Sequence, residues 1–106
     1  MPKFLITASY TAEGVKGVQS KGGSARREAV KETVEGLGGS LESFYFGFGD
    51  QDAYVVADLP SNEAAVALVL TVNAAGGAAA KTTVLVTPEE VDSAAEQSVS
   101  YRAPGQ

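Results

Sequence analysis

The fold is decided by residues 40–59, which read SLESFYFGFGDQDAYVVADL. Two runs rich in aromatic and β-branched residues, 40–48 and 53–59, flank a short acidic turn over 49–52, and this combination is typical of a β-hairpin. One helix-like segment lies on each side of the hairpin, and a strand-like segment lies beyond each helix. The order βαββαβ therefore predicts an α+β fold, a ferredoxin-like sandwich.

The segments outside the hairpin show the periodicities that this order requires. Residues 3–10 alternate as a strand does, and residues 25–37 carry a helical apolar stripe. Residues 64–70 are apolar on all sides, as in a helix that is buried on more than one side. Threonine, proline and two glutamates at 87–90 predict the capped start of a short C-terminal helix. The remaining expected elements are a short helix over 12–19 and a last strand over 80–86.

Both faces of the predicted sheet carry large apolar side chains. In the first hairpin strand, one face is expected to hold Glu42, Phe44, Phe46 and Phe48, and the other Leu41, Ser43 and Tyr45. The two crossover helices lie on one face of the sheet. We therefore expect a second copy of the chain to cover the other face, which pairs the subunits as a dimeric α/β barrel. The alternative is a monomer whose C-terminal helix covers that face.

Composition restricts the partners of this chain. Eight basic and 13 acidic residues give a net charge of −5, which argues against nucleic acid and against an anionic membrane surface. The chain opens with no basic and apolar leader, and its longest apolar run is too short to span a bilayer, so a cytoplasmic location is expected. We expect one domain over residues 1–96, followed by a polar tail or arm over 97–106.

The chain contains no cysteine and no histidine. It therefore has no disulfide, no thiol nucleophile, no neutral-pH imidazole base and none of the commonest metal ligands. We expect neither a metal nor a cofactor. Any chemistry would come from carboxylates, tyrosines, lysines, arginines, hydroxyls or backbone amides.

Five stretches of the sequence resemble a known family: 3–11 (KFLITASYT), 24–30 (SARREAV), 38–45 (GGSLESFY), 48–54 (FGDQDAY) and 62–65 (NEAA). Together they resemble the GYD domain family over residues 3–92. The resemblance implies a small bacterial protein with a dimeric α/β-barrel fold, and it implies little about activity. The family is named for a Gly-Tyr-Asp element. This chain reads Gly49-Asp50-Gln51-Asp52 there, with Gln51 where an aromatic residue is more usual.

Two carboxylates in the hairpin turn are candidate catalytic groups. Asp50 and Asp52 are two residues apart, so mutual repulsion would favour protonation of one of them and make it an acid or base. The alternative is ordinary turn chemistry, in which an aspartate accepts hydrogen bonds from nearby backbone amides. Tyr45 and Tyr54 are the other catalytic candidates, because a phenol can position an enol or phenol substrate.

The candidate ligand-binding residues are Tyr10, Tyr45, Tyr54, Arg26, Arg27 and Lys81. The arginines can hold a carboxylate or phosphate through two hydrogen bonds, or they lie on a solvated helix face beside glutamates. The tyrosines line a small-molecule pocket, or they pack in the core or a dimer interface. Lys81 is a counter-ion for Asp52 or an anionic ligand, or it protects an exposed sheet edge.

Three functions are compatible with these residues. We favour a homo-oligomeric protein that binds a small molecule, partly aromatic or acidic. The first alternative is a cofactor-independent enzyme, similar to monooxygenases or isomerases. The second alternative is a structural protein whose C-terminal arm docks a partner or builds a larger assembly.

Overall fold

The computed structural model describes all 106 residues, which form four strands and four helices. In chain order they are β1 (Lys3–Tyr10), α1 (Ala12–Lys21), α2 (Gly23–Gly36), β2 (Ser40–Phe46), β3 (Ala53–Asp58), α3 (Asn62–Ala75), β4 (Ala78–Leu85) and α4 (Pro88–Ala95). The strands form one sheet in the order β2-β3-β1-β4, and every neighbouring pair is antiparallel. The predicted ferredoxin-like βαββαβ arrangement is confirmed, with the first helix divided in two and a short C-terminal helix added.

Side-chain caps set the starts of three helices. Thr11, Ser61 and Thr87 each accept a hydrogen bond from the backbone N–H three residues later. Thr87 and Glu90 complete the predicted capping box, because the Glu90 carboxylate also accepts from the Thr87 amide. Between α1 and α2, Gly22 has a φ of 90°, a conformation that favours glycine. The chain can therefore change direction there and start a second helix.

One side of the sheet packs against the helices and holds the core; we call it the helix face. Phe4, Val34 and Leu59 are its largest fully buried side chains. Ala57 of β3 and Leu68 of α3 belong to the same apolar cluster. Burial of a side chain as large as Phe4 stabilises the fold by about 1.5–3 kcal/mol. The core is therefore concentrated around the start of β1.

Strand β2 contains a β-bulge. Leu41 lies opposite Ala57 of β3, but the next paired residue is Ser43, which lies opposite Val56. Glu42 is therefore an extra residue without a partner in the ladder.

The bulge makes the predicted faces of β2 wrong at two residues. Leu41 lies on the helix face with Phe44 and packs against the core. Glu42 lies on the other face, where its carboxylate is 3.2 Å from the Lys3 ammonium. Strict alternation predicted Glu42 beside Phe44 and Leu41 beside Tyr45, because a pattern of period two does not allow for an inserted residue.

The start of α1 is attached to the turn between α3 and β4. The Thr11 amide donates to the Gly77 carbonyl at 3.0 Å. The Thr11 hydroxyl lies 3.0 Å from the Gly76 carbonyl oxygen and 3.2 Å from that of Gly77. Gly14 comes so close to this turn that a Cβ on it would overlap the Gly77 carbonyl oxygen. A glycine is therefore required at this position, and it lets α1 lie against the end of the sheet.

The other side of the sheet, which we call the open face, carries Tyr45 and Tyr54 in exposed positions. Every residue after Leu85 is exposed, including all of α4, so the expected alternative of a C-terminal helix that covers this face is wrong. The radius of gyration is 16.8 Å, against about 13 Å for a compact chain of this length. Residues 86–106, the C-terminal segment, therefore extend away from the sandwich. None of the helices combines the length and apolar character that a bilayer crossing requires.

Candidate functional site

A cavity of about 580 Å³ lies between the helix face of the sheet and helices α1, α2 and α3. Small-molecule sites commonly have volumes of roughly 300–1,000 Å³. Fifteen of its 23 lining residues are hydrophobic. We call this cavity the ligand pocket, and its size and lining suit a small molecule with an apolar body.

The ligand pocket exists because its floor is built from small side chains. Ala8, Ala53, Ala78 and Ala80 line it from three neighbouring strands. At the opposite end of the same face, larger residues such as Phe4 fill the space below the helices. Alanine is uncommon in strands, so a group of core-facing strand alanines is a sequence signal for missing volume. Sequence reasoning missed this signal because it treated the alanines only as apolar residues.

Arg26 is the main polar group of the ligand pocket. It comes from the first turns of α2, and its Nε is buried without a hydrogen-bond partner. The central guanidinium carbon lies 5.8 Å from the centre of the Tyr10 ring, within the range of a cation–π interaction. A buried donor without an acceptor costs about 1–3 kcal/mol. The site therefore offers an unused donor to a bound molecule.

Tyr10 forms the wall beside Arg26, and the hairpin turn fixes its position. The Tyr10 amide donates to the Asp52 carboxylate at 2.8 Å, and the Asp52 amide donates to the Ala8 carbonyl at 2.8 Å. The Tyr10 ring lies 6.4 Å from the ring of Phe46. The structure therefore brings together two of the predicted ligand-binding residues, Tyr10 and Arg26.

The two candidate catalytic carboxylates have different surroundings. Asp50 is exposed at the tip of the turn, whereas the Asp52 carboxylate accepts the hydrogen bond from the Tyr10 backbone. Neither residue lines the ligand pocket. Asp52 therefore accepts a backbone hydrogen bond, as the turn-chemistry alternative predicts. It affects the pocket only because it holds the backbone of Tyr10 in place.

Tyr45 and Tyr54 lie directly opposite each other on β2 and β3. The same row continues through Thr7 to Lys81 of β4, so it crosses all four strands of the open face. Tyr45 is 71% exposed and Tyr54 36% exposed. The two tyrosines therefore share a face with Thr7, on the opposite side of the sheet from the ligand pocket.

The last predicted ligand-binding residue, Arg27, points away from the ligand pocket. Its Nε lies 3.7 Å from the carboxylate of Glu28, and both side chains are largely exposed. Lys21, which the sequence did not single out, lines the ligand pocket at the end of α1. No group of three carboxylates in the chain is placed to hold a metal ion.

The clearest electrostatic feature lies outside the ligand pocket. Lys3 of β1 forms ion pairs with Asp58 at 3.0 Å and Glu42 at 3.2 Å on the open face. Its hydrogen bonds to Asp58 and then to Glu42 raise the pKa of the Lys3 ammonium above its usual value of 10.5. This cluster joins β1, β3 and the bulge of β2.

The model of the GYD domain family matches residues 4–95, which is most of the chain. No curated protein matches the sequence, and no solved structure matches it.

Proposed function

The chain belongs to the GYD domain family, and on that premise we propose that it is a homo-oligomeric protein that binds a small molecule in the ligand pocket. The observation that carries the proposal is the cavity of about 580 Å³ with an apolar lining and an unpartnered buried donor on Arg26. Cavities with a mostly apolar lining and few polar groups are typical of ligand sites.

The shape of the chain supports the homo-oligomeric part of the proposal. The open face exposes Tyr45 by more than half and Tyr54 by about a third. The C-terminal segment exposes Val91, Val99 and Tyr101, each by more than half. Aromatic residues on an accessible surface are common in protein interfaces. A second copy that packs on the open face would cover the tyrosines, and the dimeric α/β barrel is the arrangement we propose. The bacterial origin and cytoplasmic location expected from the sequence stay predictions.

A fragment screen by ligand-observed NMR tests the binding function. A library of small neutral, anionic and cationic fragments should contain members that bind the wild-type protein. Ala29→Phe places a ring on the α2 wall of the ligand pocket and should abolish that binding. Ala74→Phe is the matched control, because this exposed alanine of α3 does not line the ligand pocket. Failure of all fragments to bind, or equal binding by both variants, would refute the function.

Sedimentation velocity tests the oligomer separately. The wild-type protein should sediment with at least twice the monomer mass of 10.8 kDa. Tyr45→Lys places a charge on the open face, at the edge strand β2, and should shift the protein toward monomers. A folded wild-type monomer at micromolar concentration would contradict the proposed assembly. It would not contradict the proposal that the ligand pocket binds a small molecule.

A further inference from the structure

The charged residues of the ligand pocket have one sign. Arg26 and Lys21 are its only ionisable side chains apart from the Tyr10 phenol, and no aspartate or glutamate lines it. The whole chain, in contrast, has 13 acidic and only 8 basic residues. A cationic pocket in an acidic protein attracts anions there and repels them over much of the remaining surface.

Arg26 is free to bind an anion. No carboxylate lies within ion-pairing distance of its side chain, whereas its neighbour Arg27 pairs with Glu28. The buried Nε has no acceptor from the protein, and the Tyr10 ring lies beside the guanidinium. A guanidinium edge presents parallel N–H donors that match the two oxygens of a carboxylate.

We propose that the ligand of this pocket is an amphipathic monocarboxylate, with its carboxylate on Arg26 and its apolar body over the alanine floor. The inference rests on the proposed function and names the ligand class for the same site. Lys21 at the end of α1 adds a second positive charge to the lining of the pocket.

The lining favours a carboxylate over a phosphate ester. A dianionic phosphate group has three terminal oxygens and usually binds several amides or cations at once. Here Arg26 and Lys21 are the only two cations, and fifteen lining residues are hydrophobic. One arginine fork with a large apolar surface suits a single negative charge at the end of an apolar molecule.

Matched probes and matched variants test the inference. The probes are 2-naphthylacetate and decanoate, each with its neutral carboxamide, together with 2-naphthyl phosphate. Binding is measured by isothermal titration calorimetry and located by amide chemical shifts. The variants are Arg26→Gln and Arg27→Gln, which change net charge equally on the same helix, and Arg26→Lys, which keeps the charge. Circular dichroism confirms that all three variants are folded.

At least one carboxylate should bind the wild-type protein about ten to a hundred times more tightly than its carboxamide. Arg26→Gln should remove this preference, Arg26→Lys should restore only part of it, and Arg27→Gln should keep it. Shifts should appear at Gly22 and Ala25, which line the ligand pocket.

Four results would overturn the inference. They are absence of binding by every carboxylate, equal binding of carboxylates and carboxamides, a carboxylate preference that survives Arg26→Gln, and tighter binding of the phosphate. If neutral or cationic fragments bind the wild-type protein in the screen and lose that binding in Ala29→Phe, the proposed function stands without this ligand class. If no fragment binds the wild-type protein, the proposed function fails too.

Discussion

Substitution of alanine for Gly14 should destabilise the protein, although helix propensity alone predicts the opposite. Gly14 lies in the first turns of α1, and an alanine methyl there would overlap the Gly77 carbonyl oxygen. The Tyr10 ring is the next neighbour, with Cδ1 at 3.2 Å from the added carbon. The helix must therefore move away from the turn between α3 and β4.

The size of the effect follows from the bonds that this movement breaks. Thr11 makes a backbone bond to Gly77 at 3.0 Å and a hydroxyl contact to Gly76 at 3.0 Å. Each hydrogen bond contributes about 0.5–1.5 kcal/mol, and forced overpacking costs about 1–3 kcal/mol. Alanine recovers about 1 kcal/mol of helix propensity. We expect a net loss of about 1–5 kcal/mol in the free energy of unfolding.

Gly17→Ala is the matched control, because it lies one turn further along the same helix and its added methyl meets nothing within 4 Å. It should stabilise the protein by about 0.5–1 kcal/mol. Urea unfolding at one fixed protein concentration measures both variants, with the slope m as a check that the unfolded state is unchanged. If Gly14→Ala is as stable as Gly17→Ala, the close approach of α1 to the turn is not a constraint.

Three further perturbations give distinct readouts. Phe4→Ala should cost about 3–5 kcal/mol in urea unfolding, because Phe4 is 1% exposed in the core; a loss below about 1 kcal/mol would contradict its central place. Asn73→Ala should cost about 1–3 kcal/mol and speed hydrogen exchange at Ala80, since the Asn73 side chain accepts from the Ala80 amide at 2.6 Å and donates to its carbonyl at 3.3 Å; unchanged exchange there would argue against this clamp. The pKa of Lys3 is raised in the folded state, so its ion pairs stabilise the fold fully at a pH below the ordinary lysine pKa of 10.5. This stabilisation is lost as the pH rises through the higher pKa of the folded state. Lys3→Met should therefore flatten the fall in urea midpoint between neutral pH and about pH 11, and an equal fall in both proteins would refute the linkage.

Sequence periodicity was sufficient to predict the helices and strands, but it did not predict how they pack or the cavity between them. The hairpin over 40–59 and the capping box at Thr87 are local signals, and both appear in the structure where they were expected. The last strand begins at Ala78 rather than at residue 80, since it pairs with β1 as far as Tyr10. That boundary depends on a partner strand, which the local sequence does not contain.

The candidate site was only partly visible in the sequence. Arg26 and Tyr10 were named as candidates, but nothing in their spacing says that the fold brings them together across α2 and β1. Arg26 and Arg27 are neighbouring residues of the same type. Only their different angular positions around α2 place Arg26 in the lining of the ligand pocket and Arg27 beside Glu28. The ligand pocket itself depends on volumes summed over three strands and three helices, which no single segment encodes.

The bulge at Glu42 has a consequence for insertions and deletions in β2. Because of the extra residue, Leu41 and Phe44 reach the same buried side even though an odd number of positions separates them. Deletion of Glu42 would leave these two side chains two positions apart, so regular alternation would keep both of them on the helix face, and the strand would lose only the bulge and the ion pair with Lys3. Exchanges of Glu42 for other polar residues keep the bulge and should be mild as well. Position 42 is therefore one where β2 should tolerate both an exchange and the loss of a residue.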